Sequence, residues 1–93
     1  MSIKVNLMSF LSDYADGKNQ IFLEEKCRTV GDVLAALTRL YPALKDELLD
    51  EEGKLDYFYQ IILNGDKVEW GQVADQSVRD GDELVIFGVL GGG

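Results

Sequence analysis

The sequence has 93 residues, 46% of them apolar, which suits one domain and leaves little room for a deep pocket ringed by a full catalytic apparatus. Seventeen acidic residues against nine basic ones give a net charge of −8, and no run of Lys and Arg supplies the cationic face that nucleic acid or an anionic membrane requires. A protein partner with a basic docking surface suits this charge better.

Ile3, Val5 and Leu7 alternate with Lys4, Asn6 and Met8, which predicts a half-buried strand. The segment opens without the long apolar stretch of a signal peptide, and no run of about 18 apolar residues follows, so the expected compartment is the cytoplasm. Ser12 to Asn19 is polar and holds the turn signal Asp16-Gly17. Gln20 to Glu24 predicts a second strand, joined to the first as a hairpin with a long connection. Thr29 is placed to cap a helix, with Asp32 three residues on. Val30, Val33, Leu34, Leu37, Leu40 and Tyr41 form its predicted apolar stripe, and Arg28, Ala35, Thr38 and Arg39 fall elsewhere. Pro42 ends the helix, and Pro42 to Leu49 predicts a second, short one.

Asp50 to Lys54 reads as a charged loop. Phe58 to Leu63 predicts a third strand, Asn64-Gly65-Asp66 a tight turn, and Lys67 to Glu69 the return strand. Asp80-Gly81-Asp82 is a further turn. Glu83 to Phe87 is the last strand, with Leu84 and Ile86 on one face and Val85 and Phe87 on the other. This order predicts a two-layer α+β domain over residues 1–87: one sheet crossed by one main helix, the first and last strands side by side at its centre. Phe58, Ile62, Val85 and Phe87 are then left on the far face, and Phe58, Val85 and Phe87 are the candidate docking residues.

The chain carries no histidine, which removes Ser-His and Cys-His nucleophiles, and its single cysteine, Cys27, removes an internal disulfide and a zinc site. Cys27 precedes a helix cap but reads as an ordinary, partly buried thiol. The acidic run Asp46, Glu47, Asp50, Glu51 and Glu52 lacks the ligand spacing of a calcium loop and reads as solvated surface. No metal ligand set and no bound cofactor are expected. Trp70 reads as a cover for the edge of the core.

What remains is residues 88–93, Gly88-Val89-Leu90-Gly91-Gly92-Gly93. Glycine lacks a Cβ, so such a segment can thread a narrow tunnel. Six extended residues reach about 20 Å. The expectation is a flexible tail that carries its Gly93 carboxylate to another enzyme, with Gly91 and Gly92 letting it thread. A carboxylate is unreactive at neutral pH and needs activation, as by adenylation with ATP. Sulfide or a persulfide would then give a thiocarboxylate, and an amine an isopeptide.

The helix opening Thr29-Val30-Gly31-Asp32-Val33-Leu34, the hairpin Ile61 to Gly65, the segment Arg79-Asp80-Gly81-Asp82-Glu83-Leu84 and the closing Gly92-Gly93 together resemble the MoaD/ThiS sulfur carriers, β-grasp proteins related to ubiquitin. The length and the stretch from Tyr59 to Gly65 are most similar to the small subunit of molybdopterin synthase, although Gly88-Val89 stands where that branch commonly has two prolines. The resemblance implies a protein cosubstrate rather than an enzyme on its own. An E1-like partner would use ATP to adenylate Gly93, and the resulting thiocarboxylate would serve an acceptor enzyme such as the molybdopterin synthase large subunit. Carriers for thiamine, tRNA thiolation or cysteine synthesis share the layout, as do ubiquitin-like modifiers joined to lysines through Gly93.

Overall fold

The computed structural model describes residues 2–89. Five strands form one sheet, β1 (Ile3–Leu7), β2 (Gln20–Leu23), β3 (Tyr59–Leu63), β4 (Asp66–Val68) and β5 (Glu83–Gly88), in the order β2-β1-β5-β3-β4. Two hairpins flank β5: β1–β2 and β3–β4 are antiparallel, and β5 joins them, parallel to β1 and antiparallel to β3. The first and last strands are thus central neighbours, as the sequence predicts. The β3–β4 turn is Asn64-Gly65, with φ of 49° and 89°, the left-handed pair that a two-residue hairpin needs.

Helix α1 (Val30–Leu40) opens on a capping box. The Thr29 hydroxyl accepts the Asp32 N–H at 3.1 Å, and the Asp32 carboxylate accepts the Thr29 N–H at 3.3 Å. Tyr41 interrupts the helical path, and α2 (Pro42–Leu48) restarts it with proline in the first turn, where no N–H is missed. Val30, Val33, Leu34 and Leu37 of α1, Leu44 and Leu48 of α2, and Val5, Ile61, Leu84 and Ile86 of the sheet share one buried core.

Three expectations need correction. Leu40 is exposed, and the helix buries Ala36 and Thr38 instead. Thr38 can be buried because its hydroxyl donates to the Leu34 carbonyl at 2.8 Å. The polar connection between β1 and β2 is not a plain loop either: Ser9–Tyr14 forms a 3-10 helix that drops Leu11 into the core, with Ala15 just beyond it. Trp70 covers the core edge as expected, its indole N–H donating to the Tyr59 carbonyl at 2.8 Å. Strand β5 runs one residue beyond Phe87, so Gly88 closes the sheet instead of starting the tail.

Candidate functional site: the end of the central strand

Alternation along β5 buries Leu84 and Ile86 completely and leaves Val85 and Phe87 half-buried on the opposite face. Val85 stands opposite Asn6 on one side and Ile62 on the other, and Phe87 stands opposite Gln60. That face changes character along β5. At its start, Glu83 accepts the Asn6 amide at 2.8 Å and pairs with the Lys4 ammonium at 3.3 Å. The hydrogen bonds from Asn6 and then Lys4 hold the Glu83 carboxyl below its ordinary pKa. Towards its end, Val85 and Phe87 take over, with Met8 exposed just past β1 and its N–H bonded to the Ile86 carbonyl at 3.0 Å.

Beyond Phe87 the strand is clamped against β3. Gly88 pairs with Tyr59, and the Val89 N–H donates to the Phe58 carbonyl at 2.6 Å. Phe58 is itself set by an Asx turn, since the Asp56 carboxylate accepts its N–H at 2.9 Å. Its ring lies edge-on to Tyr59, centroids 5.1 Å apart, and covers Gly88 so closely that a Cβ there would sit 2.9 Å from Phe58 Cε2. Under this end of the sheet the Tyr59 ring is buried and also meets Phe10, and its hydroxyl donates to Glu47 of α2 at 2.5 Å.

Val85 and Phe87 thus lie together on the far face, whereas the Phe58 ring sits where a Gly88 Cβ would point, on the side of Leu84 and Ile86, so the expectation that all three share one face is corrected. Gly91, Gly92 and Gly93 lie outside the described residues. Sequence reasoning missed Met8, which continues the outward alternation of Lys4 and Asn6, and missed Tyr59 and Glu47, whose contact spans two elements. Cys27 is buried, and burial, followed by the charges of Glu25 and Asp32, pushes its thiol pKa up against the pull of Arg39. Among the described residues no cluster of three or more His, Cys, Asp or Glu is placed to hold a metal ion. A hollow of about 360 Å³ beside α1, walled by Tyr57 and Trp70, includes none of the predicted site residues. No helix among the described residues is long and apolar enough to cross a membrane.

The model of the ThiS family matches residues 5–93, from the middle of β1 through the closing glycines. The chain belongs to the ThiS family. It is thereby a ubiquitin-like sulfur-carrier homologue, and proteins of this kind serve as cosubstrates for other enzymes. Small archaeal modifier protein 1 of Haloferax volcanii is 34% identical over 65 residues, 70% of each chain. Its crystal structure has a TM-score of 0.83 at 29% identity over the full length of both chains. The sulfur carrier protein CysO of Mycobacterium tuberculosis is 25% identical over 95 residues, spanning both chains completely. A chain of the Amycolatopsis orientalis BexX/CysO complex has a TM-score of 0.82 at 26% identity, covering 98% of this chain and 99% of that one. These neighbours share the ubiquitin-like β-grasp, the predicted fold class, and carriers and a modifier stand side by side among them.

Proposed function

We propose that this ThiS-family chain is a sulfur carrier that works through the carboxylate of Gly93. The observation that carries the proposal is the family match running through Gly93, on a domain whose central strand β5 ends at Gly88. A carboxylate oxygen of Gly93 attacks the α-phosphorus of ATP on an E1-like enzyme; pyrophosphate leaves and an acyl adenylate forms. Hydrosulfide then attacks the acyl carbon, AMP departs, the sulfur proton is lost to solvent, and a thiocarboxylate remains. Gly91 and Gly92 let the segment thread, because without Cβ atoms they fit a channel that other residues would block. Val85 and Phe87 supply the apolar docking face, and the acidity of the chain steers it to a basic partner.

For the acceptor, the similarity of Tyr59 to Gly65 to the small subunit of molybdopterin synthase favours a molybdopterin precursor, with sulfur passed on within that enzyme's large subunit. A second reading, conjugation of Gly93 to lysines, is favoured by the 34% identity with small archaeal modifier protein 1. One experiment separates them. The purified chain is incubated with ATP, sulfide and the E1-like enzyme of the same genome, and its intact mass is taken. Replacement of one oxygen by sulfur, lost when Gly92-Gly93 is deleted, is the expected result. An unchanged mass with an enzyme active on its own substrate, or a native chain that continues uncleaved past Gly93, overturns the proposal. Denaturant-resistant adducts carrying a branched glycine remnant on lysine would establish the modifier reading.

A further inference from the structure

Gly88 is not a glycine for the sake of its backbone. Its φ lies outside the left-handed region, whereas Gly65 and Gly81 are both at 89°. What an alanine there would meet is the ring of Phe58, at 2.9 Å. Directly after this contact the Val89 N–H is bonded to the carbonyl of the same Phe58, and the Phe58 N–H is bonded to Asp56. Ring and carbonyl of one residue thus hold two successive residues at the point where the chain leaves the sheet, while its amide is anchored to Asp56. An exposed ring used only for docking has no need to exclude a methyl group from its own neighbour.

We propose that Phe58 is a positioning residue for the reaction at Gly93: seated on Gly88 and bonded to Val89, it fixes the place and direction from which residues 90–93 depart. Four extended residues span at most about 14 Å. A fixed base therefore confines the volume that the carboxylate can reach, and loosening the base lowers its concentration at the reacting centre. This inference rests on the carrier reading above and adds a role for Phe58 that area burial by a partner does not give.

The test uses the full chain carrying Gly88→Ala, Phe58→Leu, or both. The methyl group of Gly88→Ala displaces the end of a ring rather than backbone, so the domain stays folded, which thermal melting checks. The shorter leucine vacates the space that the methyl needs, so the double variant regains the seat. Two quantities are read: hydrogen exchange at the Val89 amide in the isolated chain, and ATP–pyrophosphate exchange by the E1-like enzyme as the concentration of the chain is varied. Gly88→Ala should speed exchange at Val89 about ten-fold and lower kcat about ten-fold with KM nearly constant, and adding Phe58→Leu should restore most of both. Additive effects of the two substitutions overturn the proposal, as does unaltered exchange at Val89, or a rise in KM at constant kcat, which is the mark of a docking contact. If the wild-type chain supports no pyrophosphate exchange while the Val89 pattern holds, the carrier reading fails, and the positioning role falls with it while the grip itself stands.

Discussion

Tyr59 joins the tail end of the sheet to α2. Its ring is buried between Phe58 and Phe10, and its hydroxyl donates to the Glu47 carboxylate. Burial, then the hydrogen bond and charge of Glu47, raise the pKa of the phenol well above its ordinary value. The sign follows from linkage. Below about pH 10 the phenol is protonated in both the folded and unfolded chain, and the contact contributes fully. Above that pH the unfolded chain sheds the proton and the folded one retains it, so stability drains away as the pH rises. Melting temperature should therefore fall steeply above about pH 10 in the wild type and more shallowly in Tyr59→Phe, which should cost about 1 kcal/mol near neutrality. Melts taken across that range check it, and parallel slopes would show that Tyr59 is not the titrating group. This pair was invisible in the sequence because its partners lie on different elements. So was the Asn6–Glu83 contact, which spans 77 positions. The Thr29–Asp32 box was legible because both partners lie within one turn.

At the scale of elements, strands that alternate announced themselves, and the capped helix did too. What periodicity could not tell was which side of α1 faces its neighbours at its last turn. Leu40 comes out exposed, and Thr38 goes in because a helical hydroxyl can be satisfied by its own backbone. The 3-10 turn at Ser9–Tyr14 was hidden because six residues are too few to show a helical period. Of the site, sequence alternation placed Val85 and Phe87 correctly, but the ring of Phe58 on Gly88 depends on β3–β5 pairing that only the folded sheet supplies. Gly31 gives the matching prediction at the other end of the domain. In a free helix, Gly→Ala adds about 1 kcal/mol of stability. Here a Cβ would lie 3.0 Å from the Ala74 carbonyl oxygen and 3.1 Å from its Cα, backbone that the neighbouring Val30–Gln76 hydrogen bond ties down. Gly31→Ala should therefore destabilise the domain, by about 1 kcal/mol in denaturant titration; a gain would mean that the Ala74 turn yields freely.

On the scale of the whole molecule, a net charge of −8 surrounds an apolar patch at one end of a small sheet. Long-range attraction of this kind is screened within about 10 Å at 0.1 M salt, whereas apolar contact is not. Raising salt from about 0.05 to 0.5 M should slow association with a basic partner about ten-fold and leave dissociation nearly unchanged, as surface plasmon resonance would read. Substituting Phe87 by Ala should do the reverse.

The central position of β5 has a consequence for how the polypeptide acquires its shape. The strand that joins the two hairpins follows both of them in the sequence, and Lys4 finds its place beside Glu83 across most of the domain. The two hairpins therefore cannot join into one sheet until β5 has entered between them, and such distant pairings are the slow ones to form.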